Sequence, residues 1–181
     1  NKDNKKFNSI SPHIQTLIRF NKEQIVNSHQ AIVDTFISIA EKAYPPAFDG
    51  KNVAMLFVGA KKYDIKYSDW QENEGIIWSL LLRFSNVLNA QNISNILNSL
   101  SKMKRHFFSV MESNVKVSIL NSVNHNAPQF NSQDIANTLL ALDQMGLKWV
   151  DIHRDLQDKL LKSVNHNAPQ FNSQDIANTL L

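Results

Sequence analysis

The chain has 181 residues, of which 43% are hydrophobic and 19% are charged, and its formal net charge is +3. This composition excludes an intrinsically disordered chain, and no apolar run approaches the ~18–20 residues that a membrane-spanning helix needs. Cysteine is absent and glycine occurs only 4 times, which excludes disulfides and zinc ribbons and favours helices with short connections. With no cysteine and no signal peptide visible at the start, the sequence favours a reducing intracellular compartment.

The segment Ser122–Leu140 recurs without any change at Ser163–Leu181. The offset is 41 residues, and a fixed period between about 20 and 50 residues is typical of repeat proteins. An Asn or Asp that directly follows an apolar residue recurs with nearly the same period, and each predicts the N-cap of a helix. These capping residues are Asn8, Asp49, Asn89, Asn131 and Asn172.

Each cap is followed by a helix that we call the A helix of its repeat, and a second helix, B, follows each complete A helix. In the fourth repeat Ile135, Leu139 and Leu142 form one apolar stripe, and Gly146 ends the helix. The B helices are predicted over roughly residues 22–43, 69–87, 106–123 and 150–164. Because a residue before Pro disfavours the helical conformation, the run Asn165–Pro169 should end the fourth B helix.

This pattern predicts a single all-α domain, a right-handed α-solenoid of about four ~41-residue helix-turn-helix repeats plus a lone final helix. The repeats cover approximately residues 7–47, 48–87, 88–129 and 130–170, with a partial repeat at 171–181. The last A helix has no B partner. We therefore expect the parent protein to continue beyond Leu181 and this fragment to associate end to end.

The A-helix sequence FNSQDIANTLLALDQMG resembles the octotricopeptide repeat, whose core reads F-x-P-Q-x-[LI]-[AS]-N-x-L-W-A-L-A-x-[LM]-G. In the fourth repeat the shared positions are Phe130, Gln133, Ile135, Ala136, Asn137, Leu139, Ala141, Leu142, Met145 and Gly146. Ser132 and Leu140 replace the Pro and the Trp of the family, and the first two A helices match little beyond the cap and the apolar pattern. The resemblance implies a superhelix of paired helices, and for the organellar members it implies binding of single-stranded RNA. Similar repeats occur in proteins of intracellular bacteria.

Polar side chains recur on the side of each A helix that lies opposite its apolar stripe. Amide groups both donate and accept hydrogen bonds, so they are able to read the edges of unstacked bases. A recurring Asn is equally able to hydrogen-bond a neighbouring repeat and hold the stack in register. The candidate residues are Gln91, Asn92, Asn95, Ser99 and Lys102 in the third repeat, Gln133, Asp134, Asn137 and Gln144 in the fourth, and Gln174, Asp175 and Asn178 in the fifth.

Basic residues follow or end each A helix and would form a stripe along one edge of a stack. Such a stripe would neutralise phosphates, which usually dominate nucleic-acid affinity. Cations at helix C-termini also favour the helix dipole without any ligand. The candidates are Arg19, Lys22, Lys61, Lys62, Lys102, Lys104, Arg105 and Lys148.

Catalytic motifs are not recognised in the sequence, so we expect a binding module rather than an enzyme, without cofactor or metal. His125 and His166 lie in identical segments before Pro, and we expect them to serve the turn rather than a metal. The Trp and Phe residues are expected in the core, with Trp70 and Trp149 the least determined. Two functions stay open: a single-stranded RNA-binding superhelix, or a scaffold for a protein or peptide ligand, for instance as part of a bacterial effector.

Overall fold

The computed structural model describes residues 29–179, and this part of the chain is helical, without strands. The predicted all-α class is therefore confirmed. The predictions for the first A helix, its cap Asn8, and the cations Arg19 and Lys22 lie outside the described residues. The α-helices are α1 (His29–Lys42), α2 (Gly50–Lys62), α3 (Glu74–Phe84), α4 (Ala90–Met103), α5 (Ser113–Asn126), α6 (Ser132–Gln144), α7 (Arg154–Asn167) and α8 (Ser173–Thr179).

Four predicted N-caps begin the four A helices of this range, which are α2, α4, α6 and α8. The side-chain oxygens of Asp49, Asn89, Asn131 and Asn172 each accept a hydrogen bond from the backbone N–H three residues later, at 2.8 to 2.9 Å. This bond satisfies one of the N–H groups that a helix start leaves without a partner. The periodic caps read from the sequence are therefore confirmed at these four positions.

The C-terminus of α6 is set by Gly146, as predicted. Its backbone φ is +87°, and a Cβ placed on it would lie 2.8 Å from the His106 side chain. Glycine adopts this left-handed conformation without a steric penalty, whereas another residue would be strained there.

The B helices are shorter at their starts than the sequence predicts. The segments Tyr67–Asp69, Phe107–Ser109 and Trp149–Asp151 are 3₁₀ turns, and the α-helices begin later, at Glu74, Ser113 and Arg154. Over only three residues, a 3₁₀ turn and the first turn of an α-helix have the same apolar pattern. The periodicity of the sequence therefore does not distinguish a 3₁₀ turn from the start of an α-helix.

The Pro-containing run ends the fourth B helix, as predicted, but the helix extends further into that run than the predicted end at residue 164. α7 continues through Asn167, and α5 through Asn126, so His125 and His166 lie in the last turn of a helix rather than in a loop. Ala127 and Ala168, the residues before Pro, have φ −50° and ψ −39°. Pro128 and Pro169 occupy the first turn of a 3₁₀ segment, where a missing N–H costs no hydrogen bond.

The helices of residues 29–179 form two layers. Each A helix packs against the A helix before and after it, and the B helices α1, α3, α5 and α7 pack in the same order. Small side chains lie between neighbouring A helices: Ala54, Ser94 and Ala136 are buried at equivalent positions. Small residues at a contact let two helices approach closely. Neighbouring A helices accordingly contact each other more extensively than neighbouring B helices do.

The core runs between the two layers, and its largest side chains are aromatic. Trp70 and Trp78 are essentially fully buried and their rings meet edge to face at 5.6 Å. Phe107 packs against both. The two Trp residues and Phe107 thus belong to the core as expected, whereas Trp149 remains 41% exposed in the turn before α7.

Candidate functional site

The solvent-exposed side of the A layer carries the predicted amide side chains. In α4, α6 and α8 a Gln stands at the second helical position and an Asn at the sixth, so the two side chains share one side of each helix. Since these helices lie side by side, the amides form two columns across the layer. We call this surface the amide face: Gln91, Asn95, Gln133, Asn137, Gln174 and Asn178.

The side chains of the amide face are accessible. The three Gln residues are exposed and the three Asn residues are half-buried. Within residues 29–179 none of these six side-chain amides takes part in a hydrogen bond with another part of the chain. An amide group with no internal partner has both its donor and its acceptor available to a ligand.

Four other predicted site residues lie inside the helix stack. Asn92, Asp134 and Asp175 are buried at the third position of their helices, where the N-cap residues hold them. Ser99 is also buried, and its hydroxyl donates to the carbonyl of Asn95 one turn earlier. These four residues lie at helix caps and at contacts between helices, so little of their surface is accessible to a ligand.

The Asp134 carboxylate completes a capping box with Asn131. Burial raises the pKa of Asp134, and the backbone N–H of Asn131 only partly offsets that effect. The two preceding A helices, α2 and α4, have a neutral residue at this position, Asn52 and Asn92, whereas α8 has Asp175. A charge is therefore not required for the cap itself.

Basic side chains cluster where α2 and α4 end. We call Lys61, Lys62, Lys102, Lys104 and Arg105 the basic edge. The ends of these two neighbouring helices bring like charges together. As a result, the pKa of Lys61 is lowered, by burial and by the positive charge of Lys102. The ion pairs found within residues 29–179 are His29–Asp69, Asp64–Lys66 and Asp155–Lys159, and none of them includes a cation of the basic edge.

Two members of the basic edge are held by uncharged partners. Lys102 Nζ donates to Gln144 Oε1 of the next A helix at 3.0 Å. Lys104 Nζ lies 4.6 Å from the centroid of the Tyr67 ring, a cation–π arrangement that keeps the charge in place without neutralising it. Burial and the hydrogen bond to Glu74 raise the pKa of Tyr67 to about 12, so this ring stays neutral.

The basic edge does not continue through α6. Gln144 takes the position that Lys62 and Lys102 occupy in the earlier A helices, as counted from the N-caps. Lys148 is exposed beyond the end of α6, at the start of the turn that leads to α7. The positive charge is thus concentrated at α2 and α4, while the amides extend from α4 to α8.

Asn126 and Asn167 are buried structural residues that the sequence analysis missed. The Asn126 amide donates to the carbonyls of Leu88 and Ser122, at 3.0 and 2.9 Å. Asn167 makes the equivalent bonds to Phe130 and Ser163, at 2.8 and 2.9 Å. Each therefore ties the end of a B helix to the start of the preceding A helix. The two residues occupy the same position in the duplicated segment, and this was the sequence signal that could have identified them.

The described part of the chain contains no group of three or more metal-ligating side chains. Among the helices of residues 29–179, none has the length and apolar character that crossing a membrane requires.

Comparison with known protein families gives a match over part of the chain. Residues 118–139 and 145–180 match a family described as "Protein of unknown function (DUF1601)". Each matched stretch contains nearly all of one copy of the duplicated segment, so the similarity concerns the repeat unit. No curated protein and no solved structure matches the chain.

Proposed function

We propose that the chain is a right-handed α-solenoid of about four ~41-residue repeats, similar to octotricopeptide repeats, and that it binds single-stranded RNA on its concave side. The proposal rests chiefly on the amide face, whose recurring Gln and Asn side chains are accessible and have no hydrogen-bond partner within residues 29–179. Bases of a single strand offer both donors and acceptors to such amides.

The packing of the layers supports the A layer as the concave side. In a curved two-layer stack the inner helices are closer together than the outer ones. The A helices contact one another more extensively than the B helices do, so curvature would place the amide face inside the superhelix.

The basic edge supplies the second component of RNA binding. Its cations lie at the ends of α2 and α4, so the basic edge meets the amide face at α4, and they form no ion pair with carboxylates within residues 29–179. Phosphate contacts position a nucleic acid, whereas contacts to base edges specify sequence. We assign the basic edge to the phosphates and the amide face to the bases.

The test is the salt dependence of binding to short single-stranded RNA of random sequence. The double variant Lys61→Gln/Lys102→Gln should weaken binding at low salt. It should also reduce the slope of log K against log salt by about 0.7 for each phosphate that the variant no longer neutralises. The variant Gln133→Ala/Asn137→Ala should alter preference among sequences and leave the salt slope unchanged.

The matched control is Lys116→Gln/Lys162→Gln, which removes the same charge from the B helices α5 and α7. If this control weakens binding as much as the basic-edge variant, the interaction is unspecific attraction to net charge. If the wild-type protein binds no RNA even at low salt, the proposed function is wrong, because phosphate contacts are strongest there.

A protein-binding scaffold is the second candidate, and one observation favours it. Met55 and Val58 in α2 and Leu140 in α6 are half-buried on the same side of the A layer as the amides. Such apolar positions suit a peptide better than a phosphate chain. Binding to a peptide through them would persist at high salt, which separates the two candidates.

A further inference from the structure

The B layer contains a groove between α3 and the start of α5, which we call the B groove. Its cavity volume is about 530 Å³, which is within the range of small-molecule sites. The side chains from α3 stand three or four positions apart, so they share one side of that helix. The lining residues are Gly75, Trp78, Ser79, Leu82, Arg83 and Glu112.

Arg83 brings a positive charge to the B groove. Its guanidinium donates hydrogen bonds to the Ala43 carbonyl and to Ser79 Oγ, and its Cζ lies 3.7 Å from the centroid of the Tyr44 ring. These uncharged partners fix the orientation of the planar group without neutralising it. A guanidinium has five N–H donors, so donors remain for an anionic ligand.

Glu112 brings a negative charge to the wall that α5 forms. It stands at the N-cap of α5, yet its side chain makes no capping bond. The equivalent His153 does cap α7, by accepting a bond from the Asp155 N–H. Glu112 is exposed, and within residues 29–179 it forms no ion pair with Arg83 or any other residue. Two opposite charges therefore line one groove and remain apart.

Gly75 keeps the B groove open. A Cβ built on Gly75 meets no atom within 4 Å, so no contact of the fold requires a glycine there. Glycine is also a weaker helix former than other residues except proline. Val117 stands at the equivalent position of α5, as counted from the following N-caps. A valine at position 75 would reduce the opening, because this position lines the groove.

The groove has an apolar surface between the two charges. Leu82 is half-buried, and Trp78 is buried beside it with an indole N–H that has no hydrogen-bond partner within residues 29–179. In α5 the position of Leu82 is taken by Asn124, whose amide donates to Asp155 and joins α5 to α7. A leucine side chain has no group for such a bond, so this surface remains available to an apolar ligand group.

We propose that the B groove binds a small zwitterion of the amino-acid class, either a free amino acid or a dipeptide, with apolar side chains. The ligand carboxylate bonds to Arg83, and the ligand ammonium group faces Glu112. Its apolar side chain packs against Leu82 and Trp78. A ligand with only one charge leaves the opposite charge of the groove without a partner. The groove lies on the B layer, so this proposal is independent of RNA binding.

NMR titration of the intact protein with the dipeptide Leu-Leu and with free leucine is the direct test. The Trp78 indole N–H resonance should shift saturably with at least one of them, and the tighter ligand identifies the source. N-acetyl-Leu-Leu lacks the ammonium group and Leu-Leu amide lacks the carboxylate. Each should bind about tenfold more weakly than Leu-Leu, because one charge-assisted hydrogen bond is lost.

Variants of the protein test the assignment of the two charges and of the opening. Glu112→Gln should weaken binding of Leu-Leu about tenfold and leave binding of N-acetyl-Leu-Leu unchanged, since that ligand has no ammonium group to lose. Gly75→Val should weaken binding of every ligand at least about tenfold. It should not lower the thermal midpoint, because valine is the better helix former.

Gly59→Val is the matched control. Gly59 is also a helical glycine whose built Cβ meets no atom within 4 Å, but it lies in α2, away from the groove. This variant should bind Leu-Leu as the wild type does. A stable Gly75→Val variant with unchanged binding overturns the proposal.

Three further outcomes would overturn it: no shift up to about 10 mM ligand, equal binding of the three dipeptide forms, or tighter binding of a form that carries one charge. The variant Lys61→Gln/Lys102→Gln should bind Leu-Leu normally. Failure of this proposal is therefore distinguishable from failure of the proposed function.

Discussion

The two copies of the duplicated segment, compared over residues 122–138 and 163–179, have the same local structure and a different burial. In both, a B helix ends at an Asn, a 3₁₀ turn with Pro follows, and an Asn caps the next A helix. The residues before Pro have identical backbone angles. Ile135 is nevertheless fully buried while Ile176 is 47% exposed.

This difference teaches which properties of a repeat are local. Caps, turns and the hydrogen bonds of the buried Asn depend on residues within one repeat or on the preceding A helix, so they occur in both copies. Burial of the apolar face depends on the helix that follows, and only the first copy has such a helix within the described residues. A substitution at a position that contacts the following helix should therefore change stability differently in the two copies. A substitution at a position whose contacts lie within the repeat or on the preceding A helix should change stability equally in both.

The largest difference is expected for the isoleucines. Ile135→Ala should lower the free energy of unfolding by about 2–5 kcal/mol, since it removes buried atoms and leaves a cavity. Ile176→Ala should cost about 1 kcal/mol or less, as expected for a half-exposed site. Urea denaturation of both variants measures the difference, and equal losses would mean that Ile176 is covered in solution.

The buried Asn residues should behave alike. Asn126→Ala and Asn167→Ala each remove two hydrogen bonds and leave the Leu88 or Phe130 carbonyl without its donor, so each should cost about 1–2 kcal/mol. Asn165→Ala, which alters an exposed amide with no hydrogen-bond partner within residues 29–179, is the control and should be neutral. A destabilisation at Asn126 but not at Asn167 would show that the second copy does not hold its repeat contact.

The smallest effect is expected at the cap of α6. Burial raises the pKa of Asp134, so the folded state binds its proton more tightly than the unfolded state, and this carboxyl opposes folding when it is ionised. Asp134→Asn should thus be slightly more stable than wild type at neutral pH, by less than about 1 kcal/mol, because loss of a favourable charge at the helix N-terminus offsets part of the gain.

That advantage should decrease as the pH falls through the folded-state pKa and should be smallest below 3.8, the ordinary pKa of an aspartate. Thermal denaturation between neutral and acidic pH, followed for both proteins, provides the measurement. An advantage that grows on acidification would contradict the direction of the pKa shift.

Within residues 29–179 the sequence by itself determined where the A helices begin. Asp49, Asn89, Asn131 and Asn172 identify the A helices because a capping side chain bonds to a backbone N–H only three residues away. Gly146 identified the end of α6 for an equally local reason, its left-handed backbone. Such features need no knowledge of distant residues.

Only the tertiary structure decided which side chains of the A helices remain accessible. Gln133 and Asp134 are neighbours in sequence and both were candidates, yet the first is exposed and the second is buried beneath the cap. The tertiary structure also brought Lys61 near Lys102, and it brought Asn167 to the Phe130 carbonyl. It buried Ile135 fully and left Ile176 half exposed. Burial and contacts between repeats join residues about 40 positions apart, and a periodic pattern that is the same in every repeat does not distinguish a covered face from an open one.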